Sequence, residues 1–394
     1  MKKTLLFYLF ISCMSGMYVS GKTGNNMLMR QRAKQTLDSI YSHYSVPNSF
    51  LLKENYPFNE QYTATYLADG GQKDAGNPYS YLWPYSGSFS AVNALYHATK
   101  ETSYKKLLDR RVLPGLEEYF DSTRKPFAYS SYINSAAPSD RFYDDNIWLG
   151  IDFTDLYAST GEKRYLEKAK MIWKFIESGT DSQLGGGIYW CEAKKGSKNT
   201  CSNAPGAVLA LKLFKATGDS AYYQQGKTLY EWTKAHLQDA ADNLYFDNIG
   251  LDGKIGREKY SYNSGQMLQA ASLLYQLTGK KEYLTDARAI AKSCYNYFFA
   301  PFTDTSGEQF RLMKKGDVWF TAVMLRGFVE LYRCDKDAVY LKAFKKNLDY
   351  AWEHARDDNG LFNTDWSGKE KDARKWLLTQ CAMVEMYAGL PDVK

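Results

Sequence analysis

The stretch LYASTGEKRYLEK, residues 156–168, decides the architecture, because the chain carries it in five versions. LYHATKETSYKKL begins at Leu95, LFKATGDSAYYQQ at Leu213, LYQLTGKKEYLTD at Leu274 and LYRCDKDAVYLKA at Leu331, so successive copies start 57 or 61 residues apart. A fixed long period marks a chain assembled from one supersecondary unit. In each copy an apolar-periodic helix ends, a tight turn follows, and another helix begins. The Thr-Gly pair in three copies reads as a helix stop before a new start.

Working outward from these turns predicts twelve helices. One set covers 85–97, 142–158, 203–216, 261–277, 317–333 and 372–387; the other covers 32–44, 102–120, 162–178, 219–238, 280–298 and 338–356. The first set is rich in Ala, Leu, Gly and Ser, as in AVLALKLF, whereas the second carries Lys/Glu/Asp faces, as in KRYLEKAKMIWKFI. That contrast puts the first set inside and the second against solvent. Six helical hairpins with a buried inner ring predict an all-α (α/α)6 toroid. An open superhelical solenoid is the competing arrangement.

The connections are unequal. Inner-to-outer turns take about four residues, within the usual range for helical hairpins. The outer-to-inner connections, 45–84, 121–141, 179–202, 239–260, 299–316 and 357–371, are long, and loops beyond about 12 to 15 residues are uncommon without a function. All six emerge at the end where inner helices begin, so one face of the ring is expected to hold a concave, aromatic-lined pocket.

Composition agrees with a soluble globular protein: 394 residues, 44% hydrophobic and 24% charged, with 33 Tyr, 20 Phe and 9 Trp. Tyrosine and tryptophan pair an apolar face with a polar handle, which suits carbohydrate, peptide or aromatic partners. A formal charge of +6, without a basic stripe, gives no support for nucleic-acid binding. Lys2 and Lys3 precede a short apolar run, Leu5 to Ile11, which is too short to span a membrane. It reads as an export signal over 1–21, followed by a single domain over 22–394. Cleavage falls near Gly21, or before Cys13 with lipid attached there. The expected location is the periplasm, or the outer membrane as a lipoprotein, of a Gram-negative bacterium. No other segment approaches a transmembrane span.

Cys191 and Cys201 share one connection, where an exported protein can join them, while Cys294, Cys334 and Cys381 sit in apolar helical contexts. Four scattered histidines, His43, His97, His236 and His354, form no His/Cys metal pattern. No cofactor or metal is expected.

Against this frame, RFYDDNIWLG (141–150) places adjacent carboxylates, Asp144 and Asp145, at the start of the second inner helix among aromatics. Glycosidic hydrolysis needs two carboxyls: one protonates the leaving oxygen, and the other attacks the anomeric carbon or activates water. There is no GxSxG, HExxH or P-loop to suggest other hydrolytic chemistry. Successive residues of a helical first turn point about 100° apart, so the two aspartates can address one bond. A separation of about 5 to 6 Å would fit retention better than inversion. The helix N-terminus favours one as the anion, and burial beside a charged neighbour keeps the other protonated. A plain N-cap is the alternative reading. Position alone nominates Tyr143 and Trp148 beside the pair, Trp83 and Tyr85 on the first inner helix, Asn203, Tyr262 and Asn263 on the third and fourth, and Asp317 and Trp319 on the fifth. Asn203 and Asn263 are equally readable as caps. A second pair, Asp357–Asp358, lies in DDNG and reads first as a turn.

FYDDNIWLG followed by IDFTDLYASTGEKRYLEKA resembles the signature of glycoside hydrolase family 76, the α-1,6-mannanases. YLWPYSGSFSAVNAL, SNAPGAVLALKLFKATGD and YSYNSGQMLQAA resemble that family as well, so the motifs span about residues 80 to 280. The resemblance implies an (α/α)6 fold and endo-acting, retaining cleavage of α-1,6-linked mannose backbones, with Asp144 as nucleophile and Asp145 as general acid/base. Exported bacterial members commonly degrade mannan, and the signal-like N-terminus favours that role over the cell-wall transglycosidation attributed to fungal relatives. Unsaturated uronyl hydrolases and polysaccharide lyases use the same ring, and a catalytically silent glycan-binding protein is a third possibility.

Overall fold

The computed structural model describes residues 21–59, 62, 64, 66 and 77–393. The signal-like stretch before Gly21, and Cys13 within it, lie outside the described residues.

Outer and inner helices alternate along the chain. The outer helices are α1 (Gly21–Tyr44), α3 (Thr102–Leu107) continued by α4 (Leu113–Glu117), α6 (Lys163–Glu177), α8 (Ser220–Leu237), α10 (Lys281–Phe298) and α12 (Val339–His354). The inner helices are α2 (Leu82–Thr99), α5 (Tyr143–Thr160), α7 (Thr200–Thr217), α9 (Ser261–Thr278), α11 (Val318–Asp335) and α13 (Leu377–Gly389). Each inner helix packs on the next, and α13 packs on both α2 and α1, so the ring closes. Closure covers the apolar faces that an open solenoid would leave at its two ends.

The repeated turn has one chemistry. The hydroxyls of Thr99, Thr160, Thr217 and Thr278 donate to the carbonyls of Leu95, Leu156, Leu213 and Leu274, and accept the N–H two residues on. Gly161, Gly218 and Gly279 then take left-handed φ values of 73°, 75° and 69° and return an N–H to the last helical turn. Lys100 and Lys336 occupy the same left-handed position without glycine's freedom.

Burial follows the predicted contrast. In α6 the residues Tyr165, Leu166, Ala169, Ile172, Trp173 and Ile176 form one buried face, whereas α9 is buried at Ser261 and continuously from Asn263 to Leu274. The inner helices α9 and α11 come close enough that a Cβ on Gly265 would strike the Met324 backbone, and one on Gly327 the Gly265 carbonyl.

Several boundaries differ from expectation: α1 begins at Gly21 rather than 32, and α2 and α7 begin at Leu82 and Thr200 rather than 85 and 203. The last inner helix starts at Leu377 rather than 372, because Lys375–Trp376 (β9) pairs with Asn55–Tyr56 (β1) and ties the last connection to the first. The second outer helix widens into a π-helical turn at Leu108–Val112 just before Pro114, which has no N–H for the carbonyl four residues back. The other connections form short antiparallel pairs: β2 (Phe120–Asp121) with β3 (Ala128–Tyr129), β4 (Ser197–Asn199) with β5 (Asn248–Gly250) and β6 (Ile255–Gly256), and β7 (Phe299–Thr303) with β8 (Gln309–Met313). No described helix is long and apolar enough to cross a membrane.

Candidate active site

At the end where the inner helices begin, a cavity of about 450 Å³ opens on the ring axis. Helical phase decides which residues reach it. The second residue of five inner helices lines the cavity: Trp83, Asp144, Cys201, Tyr262 and Trp319. Asp145 and Phe320, at third positions, join them, and Trp148 lies one turn beyond Asp144 on the same face.

Fourth positions turn the other way and clasp the returning connections. Asn146 accepts from the Tyr129 N–H at 2.8 Å and donates to its carbonyl at 2.9 Å. Asn203 grips Ile188 likewise at 2.7 and 2.9 Å, and Gln380 grips Phe362 at 2.7 and 3.0 Å. Ser264 accepts from the Tyr245 N–H, while the Tyr85 hydroxyl lies against the Phe50 carbonyl of the first connection at 3.3 Å and the Val112 carbonyl of the second outer helix at 3.1 Å. Two residues beyond three of the clasped positions stand Ser131, Trp190 and Asp247, all on the cavity wall.

The aspartates occupy unlike environments. Asp144 Oδ1 accepts the Asp145 backbone N–H at 3.1 Å, and Oδ2 accepts the Trp190 indole N–H, also at 3.1 Å. Burial raises the pKa of Asp144, while hydrogen bonds from the Cys201 thiol, the Asp145 N–H and Trp190 pull it back. Burial and the neighbouring Asp144 charge push Asp145 well above the usual carboxylate range. Both are buried, but the donors sit on Asp144, so Asp144 is the better-held anion and the proton belongs on Asp145. Asp247 is a third carboxyl on the wall, raised by burial and held by Asn248 at 2.8 Å.

Aromatic rings make up most of the remaining wall. Tyr262 and Phe320 stack with centroids 3.9 Å apart and planes 10° from parallel, and Trp319 meets Trp83 and Trp148 edge-on at 5.6 and 4.9 Å. Buried Glu54 braces the side where the chain's two ends meet, accepting from the Tyr66 hydroxyl at 2.7 Å, the Tyr81 N–H at 3.0 Å and the Trp376 indole at 3.2 Å. Among the described lining residues there is no Lys, Arg or His.

Of the residues nominated from sequence, Asp144, Asp145, Trp83, Trp148, Tyr262 and Trp319 come together. Five do not line the cavity. Tyr85 and Asn203 are clasps at fourth positions. Tyr143, a first residue, stacks on Phe175 at 4.7 Å on the outer side. Asp317 caps α11 through the Trp319 N–H at 2.8 Å. Asn263 stands behind Asp247, with its amide nitrogen 3.5 Å from Asp247 Oδ1. Asp357 is paired with Lys375 at 3.0 Å and Lys371 at 3.1 Å in a turn, away from the cavity. Cys191 and Cys201 are free thiols: Cys201 faces Asp144, whereas Cys191 packs on Phe142 and Trp190. No group of described residues could hold a metal ion.

Sequence reasoning missed Trp190, Asp247 and Glu54. A signal for the first two existed in the amide or hydroxyl at each fourth position, which registers the connection that carries them.

A closed (α/α)6 ring with paired carboxyls in an aromatic cavity fits a carbohydrate-active enzyme of the glycosidase class. Residues 30–391 match Glycosyl hydrolase family 76, and the chain belongs to that family. A family 76 mannosidase of Bacteroides thetaiotaomicron VPI-5482 superposes with a TM-score of 0.83 at 34% identity, over 92% of this chain and 97% of that one. An inactive variant of an α-1,6-mannanase from Salegentibacter, with two consecutive aspartates changed to asparagine and in complex with α-1,6-mannotriose, superposes at 0.73 with 26% identity, over 92% and 99%. A mannan endo-1,6-α-mannosidase of Saccharomyces cerevisiae is 26% identical over 269 residues, 60% of this chain and 56% of that protein. The chain spans about half the length of the curated relatives it matches.

Proposed function

We propose that the protein is an endo-acting, retaining α-1,6-mannanase, with Asp144 as nucleophile and Asp145 as general acid/base. The observation that carries this is the asymmetry of the pair: donors converge on Asp144, while among the described residues Asp145 faces Asp144's charge with no hydrogen-bond donor to offset it. Asp144 attacks the anomeric carbon as the glycosidic C–O bond breaks, and the leaving oxygen takes the Asp145 proton. In the second half, Asp145 removes a proton from water, which displaces Asp144 and releases the sugar with its configuration retained. Stacked Tyr262–Phe320 and the Trp83–Trp319 wall offer faces to pyranose rings. A cavity without described cations favours neutral sugars over uronates. The inactive paired-aspartate variant of the Salegentibacter mannanase supports a catalytic role for the pair by similarity, without dividing the roles between its members.

The reading extends to one catalytic domain over 22–394, exported through the signal-like residues 1–21, with a lipid on Cys13 as one form of anchoring in a Gram-negative envelope. The mass of the mature N-terminus distinguishes cleavage from lipidation.

Debranched α-1,6-mannan incubated with the protein should give a ladder of short manno-oligosaccharides. The first product should appear by NMR as the α-anomer. Asp144→Asn and Asp145→Asn should each abolish the ladder. Turnover persisting in either variant, or no cleavage of mannan and α-1,6-mannotetraose, would refute the assignment.

A further inference from the structure

The opposite end of the ring holds a second cavity, of about 590 Å³, lined by residues from all six inner helices. Its chemistry is unlike the rest of the inner ring. Here, far from the clasps and the aspartate pair, Asn93, Asp152, Gln269, Arg326 and Glu385 surround the axis. Arg326 forms a two-pronged pair with Glu385 at 2.6 and 2.9 Å. Asp152 is 5% exposed, accepts from the Ser90 hydroxyl at 2.5 Å, and is pushed up to about 7 by burial. Buried ion pairs are often replaceable by apolar side chains with no loss of stability, so ring packing does not require this cluster.

Two features define what would fill the space. First, most of the lining charges are paired: Arg326 meets Glu385, Lys212 meets Asp155, and Arg333 meets Glu330, while Lys215 at the rim lies 3.5 Å from the Gln276 side-chain oxygen. A phosphate, uronate or other strong ion seated at the inner cluster would have to break the Arg326–Glu385 pair. Second, an acceptor is left over. Asn93 is 4% exposed and its amide nitrogen donates to the Asp152 carbonyl at 3.0 Å, but its Oδ1 is buried with no partner. A buried acceptor without a donor costs about 1 to 3 kcal/mol. Hydroxyl groups supply donors without charge. Leu273, Val329 and Met386 give the same cavity an apolar side, and its rim is exposed at His97, Lys215 and Arg333.

We infer that this axial cavity is a second binding site, for a neutral hydroxyl-rich molecule of monosaccharide to disaccharide size, separate from the cavity that holds Asp144 and Asp145. The lining alone argues for the ligand class; only the choice of probe draws on the proposed function.

The test titrates mannose and α-1,6-mannobiose into the full chain carrying Asp144→Asn and Asp145→Asn, by calorimetry. Two binding events are expected. Adding Asn93→Leu should weaken one of them about tenfold or more, the loss of roughly one hydrogen bond, and leave the other. Ala158→Phe at the rim obstructs the cavity without touching the polar cluster, so it covers the case in which Asn93→Leu does not fold. A single event with both sugars, or a second event untouched by the cavity variants, overturns the inference. Mannan hydrolysis by the unmodified chain is scored separately, so failure of the proposed activity and failure of the second site are distinguishable.

Discussion

Trp190→Phe isolates one hydrogen bond at the nucleophile. The indole N–H lies 3.1 Å from Asp144 Oδ2, and its ring packs on Phe142 with centroids 5.0 Å apart. Phenylalanine keeps an aromatic ring, though a smaller one, and removes the donor. The backbone holds its place independently of the side chain: Tyr143 N–H donates to the Trp190 carbonyl at 2.9 Å, and Glu192 N–H to the Arg141 carbonyl at 3.0 Å. Arg141, buried and gripping Glu192 at 2.8 and 2.5 Å, pins this segment from below. The loss should therefore fall on the carboxylate. A hydrogen bond to a charged group contributes about 1.5 to 3 kcal/mol, and about 1.4 kcal/mol is one pKa unit. Without the donor Asp144 ionises later, so the acid limb of kcat/KM against pH should move up by about 1 to 2 units. Activity lost below that limb should be partly recovered at higher pH, until Asp145 loses its proton. The assay is initial-rate kinetics on debranched α-1,6-mannan across pH, with circular dichroism to show an intact fold. An unmoved acid limb with a uniform loss at every pH would refute the reasoning, since packing damage does not titrate.

Other substitutions follow from the same geometry. Asp145→Asn should raise the melting temperature at pH 8 but not at pH 3: burial lifts the folded-state pKa of Asp145 above its unfolded value, so its contribution to stability is lost as pH rises, and the amide avoids that loss. Asn203→Ala frees the buried Ile188 N–H and carbonyl, and denaturant unfolding should show a cost of about 2 to 4 kcal/mol; a raised KM at unchanged stability would return Asn203 to the substrate. Gly265→Ala drives a methyl into the Met324 backbone and should cost about 1 to 3 kcal/mol, with reduced activity because α9 and α11 carry Tyr262 and Trp319.

The sequence by itself determined the six helical hairpins, while closure of the ring against an open solenoid rests on α13 packing against α1 and α2. Thr160-Gly161 and its relatives are local chemistry, a side-chain hydroxyl on the last carbonyls and a left-handed stop, so their spacing reads directly as helical hairpins. The apolar inner set and charged outer set follow from burial, which leaves its pattern in composition. The pair Asp144–Asp145 was legible because the architecture located the start of the second inner helix. What tertiary structure decided was phase and partnership. At about 100° per residue, a one-residue uncertainty in a helix start carries a side chain from the axis to the outer wall. Trp83, at a second position, reaches the cavity, whereas Tyr85, two residues later, is buried under the Val112 carbonyl. Trp190 and Asp247 arrive from connections with no periodicity, placed by backbone clasps to Asn203 and Ser264 that join residues 15 and 19 apart. The unequal demands on the two aspartates come from those arrivals: adjacent in sequence and identical in chemistry, they differ only in which donors the folded chain brings to each.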